Sequence, residues 1–171
     1  VVNGMGFISG ERNREAMFPL RTIEENILAG KVAKGNLFAF MTNKSNHAFA
    51  NDAVEKYSIK IGELSHPANS LSGGNQQKVC LAKAFALEPR VLFVSEPTRG
   101  IDVGAKALVL DALKKFNREK GVTVVMISSE LEELRQTCDR IAIVSGGRIS
   151  GILPASRPVV EFGELMLKSV V

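Results

Sequence analysis

The 171 residues are 45% apolar and 23% charged, with 22 basic and 18 acidic side chains giving a formal net charge of +4. This is the size and balance of one globular domain with a sizeable core, and no internal repeat or low-complexity tract interrupts it. The charges are interspersed, so the mildly basic balance (pI near 9.2) reads as a solvated surface of mixed sign and argues against a nucleic-acid partner.

In chain order, Gly6 to Ile8 predicts a short strand. Thr22-x-x-Glu25 has capping-box spacing and opens a helix, TIEENILA, which Gly30 is expected to stop. From Lys31 to Ser70 the chain is polar and partly helical; AFANDAVEKY is its clearest helical segment, and Pro67, Asn69 and Ser70 mark a loop. Ser72-Gly73-Gly74 then enters a helix, NQQKVCLAKAFAL, whose Val79, Leu81, Ala82, Phe85 and Ala86 share one apolar face. VLFV at 91–94 is a short unbroken apolar run, as expected of a strand buried on both faces. Helix 104–119, strand VTVVMI (122–127) and helix SELEELRQT follow. RIAIV and RISGIL flank Ser145-Gly146-Gly147, a hairpin signal. Strand, helix and strand across 91–127 predict a parallel pair joined by a right-handed crossover, hence an α/β fold.

Cys80 and Cys138 sit among apolar residues without metal-ligand spacing and read as reduced core thiols. No apolar run approaches the roughly 20 residues of a spanning helix, and no secretory signal pattern is seen. The sequence begins at Val1 without an initiator methionine, and a longer polypeptide is expected.

Three short motifs carry chemistry. Two glycines at the start of a helix let its outward-pointing N–H groups approach an anion, helped by the helix dipole. Ser72 can cap that helix or give its hydroxyl to a phosphate. Glu96, at the end of the apolar strand, is a carboxylate able to handle a water molecule or simply to cap the turn. Asp102 stands where it would N-cap helix 104–119.

The succession LSGGNQQK (71–78), helix, apolar strand and EPTRGID (96–102) resembles the second half of the nucleotide-binding domain of ATP-binding cassette (ABC) transporters, a P-loop NTPase fold. With EPTRGIDVGAK and ISSELEEL, the wording is similar to the ATPase subunits of ribose/galactose-type sugar importers, which carry two tandem cassettes. The resemblance runs from about Gly6 to Ile152 and is most specific over Leu71 to Lys106. It implies the carboxy-terminal portion of a cassette, the second of the two: a helical subdomain over about 10–88, core strands and helices over about 89–171, a mainly parallel sheet and a C-terminal β-hairpin. It also implies ATP and Mg²⁺ as ligands of the complete protein, a second cassette and permease subunits as partners, and a place at the cytoplasmic face of the membrane.

By the same resemblance, Ser72, Gly73 and Gly74 touch the γ-phosphate of ATP held by the opposite cassette, and Asp102 lies in the loop that crosses between cassettes. Glu96 is the acid that orients the attacking water. Gln76 and Gln77 either reach ribose or phosphate or face solvent. Three positions depart from the family pattern. Ser95 replaces the acid linked to Mg²⁺, so no metal ligand is assigned to this chain. Ser129 replaces a γ-phosphate-contacting histidine, and Gly10, in GFISGERNRE, replaces a Glu or Gln. His47 and His66 read as surface-loop residues. No G-x-x-x-x-G-K-[ST] occurs in residues 1–171, so the phosphate loop is expected upstream and the chain alone is not expected to turn over ATP. The resemblance also places Gly10 to about Tyr57, with Phe18, Ile23 and Ile27, where the family meets its permease. A second reading, favoured by Ser95, Ser129 and Gly10, is a non-hydrolytic half that docks a permease and gates assembly.

Overall fold

The structure, a computed structural model, describes residues 4–34 and 43–167. Residues up to Ile127 pack as one compact unit and those from Ser128 as a second.

In the first unit, β1 (Met5–Ile8), β2 (Val91–Ser95) and β3 (Thr123–Ile127) form a parallel sheet in the order β1-β2-β3. Phe7 lies level with Phe93, and Phe93 with Val125. The chain leaves this sheet after β1 through a single π-helical turn (Arg12–Ala16), then α1 (Ile23–Lys34), α2 (Asn43–Lys56), a 3₁₀ turn (Ala68–Ser70) and α3 (Gly73–Phe85). After β2 comes α4 (Val103–Lys120), which returns the chain to β3. α3 packs on β1 and α4 on β3. Val79, Leu81, Leu92, Val94, Val109 and Leu113 are all nearly fully buried in the resulting core. Phe85 stacks on Phe116 with ring centres 3.8 Å apart and tilts against Tyr57, joining α3 to α4 and to the end of α2.

Two expectations are corrected here. The capping box forms as read: the Thr22 amide donates to the Glu25 carboxylate at 2.8 Å, and the Glu25 amide donates to the Thr22 hydroxyl at 3.1 Å. Gly30, however, does not stop the helix, which continues to Lys34. It is buried, and a Cβ there would lie 1.9 Å from the carbonyl oxygen of Lys83. Gly30 lets the backbones of α1 and α3 approach closely, a need the local sequence does not reveal. VLFV is also not buried on both faces. Leu92 and Val94 are sealed in the core, whereas Val91 and Phe93 are only half-buried, because α3 and α4 cover one face of the sheet.

The second unit contains α5 (Leu131–Thr137), a β4–β5 hairpin (Arg140–Ser145 and Arg148–Pro154) and α6 (Val159–Leu167). Gly146 and Gly147 have φ of +55° and +74°, the left-handed pair that a two-residue hairpin turn requires. The core of this unit is Ile141, Ile143, Ala155 and Phe162. The sequence reading stops at the hairpin and does not anticipate α6, which Phe162 anchors. No helix among the described residues is long and apolar enough to cross a membrane.

Candidate functional site

The start of α3 carries Ser72, Gly73 and Gly74. Ser72 occupies the N-cap position with extended backbone angles, yet its hydroxyl caps no backbone N–H. It accepts instead from the Asn75 side-chain amide at 3.0 Å. The first N–H groups of a helix have no partner inside it, and here the cap residue does not supply one. An exposed serine hydroxyl beside these donors, at the positive end of a 13-residue helix, is suited to a phosphate oxygen.

Gly74 is buried, for an internal reason. A Cβ at this position would stand 2.5 Å from the Cβ of Ala105 in the first turn of α4. The N-termini of α3 and α4 therefore lie against each other. Asp102 N-caps α4 as predicted, its carboxylate accepting from the Ala105 amide at 2.9 Å. The fold thus brings Ser72–Gly74 and Asp102, thirty residues apart in sequence, to one end of the helical layer.

The glutamines behind them do not face solvent together. Gln76 turns its amide nitrogen back onto the Leu71 carbonyl at 2.9 Å and so braces the loop that enters α3. Gln77 is 1% exposed, and its amide nitrogen has no hydrogen-bond partner, so the solvated alternative does not hold for it. Lys78, which the sequence reading passed over, is buried and donates to the Ser58 carbonyl at 2.6 Å. Burial pushes its ammonium below the usual lysine value, and neighbouring Lys60 adds to the shift. The signal for Lys78 was its place on the apolar side of the helix, one residue before Val79.

The second group lies at the end of β2. Ser95 pairs with Ile127, and the Glu96 amide donates to the Ile127 carbonyl at 2.8 Å. Glu96 has φ of +44°, a left-handed conformation that a residue with a side chain adopts at a cost of order 1–3 kcal/mol. Pro97 and Thr98 are buried behind it. Gly10 is pressed against this turn: a Cβ there would meet the Glu96 Cβ at 3.1 Å and the Ser95 carbonyl oxygen at 3.3 Å. Glu11 and Arg99 close the same junction with an ion pair of 3.1 Å. The loop after β1 and the loop after β2 therefore touch at Gly10–Glu96 and at Glu11–Arg99.

This donor set is poor for a divalent cation. Mg²⁺ is ordinarily held by one or two carboxylates together with phosphate oxygens and water. Here a neutral serine hydroxyl ends the strand beside a single carboxylate, one negative charge fewer than two adjacent acids would offer. Among the described residues, no group of three or more His, Cys, Asp or Glu is placed to hold a metal ion.

Ser129 is exposed and belongs to the second unit. There Ser128 helps organise the start of α5, accepting from the Glu130 amide at 3.0 Å and donating to the buried Glu133 carboxylate at 3.2 Å. Both histidines are exposed, but His47 lies on α2 and not in a loop, 3.4 Å from the Glu24 carboxylate. Cys80 is buried and Cys138 half-buried, both as free thiols.

Residues 4–99 match the profile of the family described as ABC transporter. The chain is 38% identical over 148 residues to the ribose import ATP-binding protein RbsA 2 of Rhizobium meliloti (strain 1021), covering 86% of this chain and 29% of that protein. It is 37% identical over 161 residues to the ribose import ATP-binding protein RbsA of Bacillus subtilis (strain 168), covering 94% and 32%. The chain thus spans about a third of the length of these relatives. Among solved structures, a dimeric ATP-binding cassette in a post-hydrolysis state bound to ADP and Pi superposes with a TM-score of 0.76 at 26% identity, over 90% of this chain and 63% of that one.

Proposed function

The chain belongs to the ABC transporter family, and from that premise we propose that it is part of the ATPase subunit of a ribose-type sugar importer, in the second of two tandem cassettes. The observation that carries this reading is the α3 terminus: an exposed Ser72 that leaves the helix N–H groups uncapped, locked in place through Gly74 against α4. Ser72, Gly73 and the following amides contact the γ-phosphate of ATP held by the opposite cassette, and Asp102 stands beside them at the cassette–cassette boundary. Mg-ATP in the complete protein takes most of its phosphate contacts from a loop outside residues 4–167. Glu96 orients water at this cassette's own nucleotide with reduced competence, since Ser95 supplies no second charge.

The permease subunits dock on the segment after β1, at the cytoplasmic face of the membrane. Ile23 and Ile27 are core residues, but Phe18 and Leu20 are exposed and offer an apolar contact. The second reading, a half-domain that docks and gates without hydrolysis, draws on Ser95 and on the packing of Gly10 against Glu96. Calorimetric titration with Mg-ATP tests the placement of the phosphate contacts. The 171-residue chain alone should bind more weakly than about 100 μM, and low-micromolar binding would show that its own residues suffice.

A further inference from the structure

Where the end of α2 meets α4, the first unit holds an open cleft of about 190 Å³. A cavity of about 150 Å³ is enough for one benzene molecule, so a single ring fits here. Its apolar wall consists of Tyr57 together with Leu108, Ala112 and Phe116, three residues at i, i+4 and i+8 on one side of α4. Leu108 is 51% exposed. The wall is fixed from behind. Phe116 stacks on Phe85 at 3.8 Å, Tyr57 tilts against Phe85 at 5.1 Å, and the neighbouring Ser58 carbonyl accepts from the buried Lys78 at 2.6 Å. A surface already held in shape loses little freedom when a ligand binds.

The charges around the cleft choose the ligand's sign. Asp111 lies 3.7 Å from Lys114 and Glu119 3.8 Å from Lys115, so both carboxylates already have a cation. Lys56 and Lys120 also line the cleft, and among the described residues neither has a carboxylate partner. They end α2 and α4. The partial negative charge of a helix C-terminus, about half a unit, is smaller than the full charge each ammonium brings. The Tyr57 hydroxyl likewise has no hydrogen-bond partner among the described residues. Its phenol, pushed up to about 12 chiefly by burial, stays a donor. We infer that this cleft binds a small one-ring carboxylate, its ring against Tyr57, Leu108 and Phe116 and its carboxylate between Lys56 and Lys120. An inorganic anion would leave the apolar wall wet, and a neutral ring would leave both ammonium groups unanswered.

The test is a titration of the 171-residue chain with benzoate, followed by amide NMR, and with cyclohexanecarboxylate, followed by tyrosine emission. Tyr57 is the only tyrosine and no tryptophan is present, so that emission reports this cleft alone. Saturable shifts centred on residues 56–58 and 108–120 are expected, with a Kd of about 1 mM or tighter. Benzylamine, the same ring with the opposite charge, and inorganic phosphate should each bind at least tenfold more weakly. Ala112→Phe fills the cleft and should abolish the response. Lys56→Glu with Lys120→Glu, at exposed positions, should weaken binding at least tenfold and carries the test if Ala112→Phe does not fold by circular dichroism. Arg148→Glu, exposed in the second unit, should leave binding unchanged. No saturable response by about 20 mM, equal binding of benzylamine or phosphate, undiminished binding by the folded variants, or shifts centred elsewhere would each overturn the inference.

Discussion

Single atoms decide the geometry of the site. Gly74 stands in the motif that points to phosphate, yet its missing side chain is needed first by Ala105, 2.5 Å from where a Cβ would sit. Gly74→Ala should therefore destabilise the chain by about 1–3 kcal/mol through overpacking. Ala105→Gly in the same chain should recover part of that loss, despite its own helix-propensity cost of about 1 kcal/mol. A denaturant double-mutant cycle measures the coupling, and additive effects would mean that the two helix ends do not touch. Glu96 offers the converse case. Its left-handed backbone is strained, so Glu96→Gly should raise the unfolding free energy by about 1 kcal/mol while deleting the carboxylate. An unchanged or lower melting temperature would show that the carboxylate's contacts outweigh the strain.

At the scale of elements, helix starts and helix contacts set stability. Thr22→Ala removes one half of the reciprocal cap on α1 and should cost about 1 kcal/mol. The Thr22 hydrogen bonds hold the Glu25 carboxyl below its usual pKa. That contribution is present above the unfolded value of about 4.5 and is lost as pH falls through the lower folded value. Tyr57 works at the other end of the scale. Burial, reinforced by Asp52 and Glu119, pushes its phenol up to about 12. Between the unfolded value near 10 and the folded one near 12 the native state holds the extra proton, so stability is intact below about pH 10 and falls above it. Lys78 and Lys83, pushed down by burial, act in the opposite sense below their unfolded value near 10.5. Tyr57→Phe should flatten the alkaline loss in urea unfolding series at pH 9 to 11.5, and an unchanged slope would assign that loss to other groups. Gly30→Ala, which would place a Cβ 1.9 Å from the Lys83 carbonyl, should cost about 3 kcal/mol by forcing α1 away from α3.

For the molecule as a whole, what was legible in the sequence follows the range of the interactions involved. The capping box at Thr22–Glu25, the Asp102 cap and the Gly146–Gly147 turn act over two to four residues and can be read directly. The order of strands and helices from Leu71 onward is legible because apolar period and glycine punctuation agree there. Gly30 reads as a helix stop because a helix-stopping glycine and a close-contact glycine look alike until the partner, 53 positions on, is in place. Gly74 hides its dependence on Ala105 for the same reason. VLFV reads identically whether one face of its strand is covered or both. Gln77 and Lys78 are polar letters on a buried side of α3, and only the arrival of neighbouring elements shows that they are inside. For the candidate site, the sequence proposes Ser72–Gly74, Glu96 and Asp102, while the contacts linking Gly10 to Glu96 and Glu11 to Arg99 come from the tertiary fold alone.

The account turns on the α3 terminus serving a nucleotide held by another cassette, and Ser72→Asp in the complete importer tests it with the least disturbance. Aspartate is as good an N-cap as serine, and Ser72 is exposed, so the helix should stay formed. A carboxylate there repels the γ-phosphate and competes for the helix N–H groups. The measurement is steady-state ATP hydrolysis alongside occupancy of each cassette by a labelled nucleotide. Turnover should fall by about 10²–10³, the loss expected from removing a preorganised donor, with nucleotide binding to this cassette unchanged. Near-normal turnover, or a loss confined to nucleotide binding at this cassette, would contradict the account.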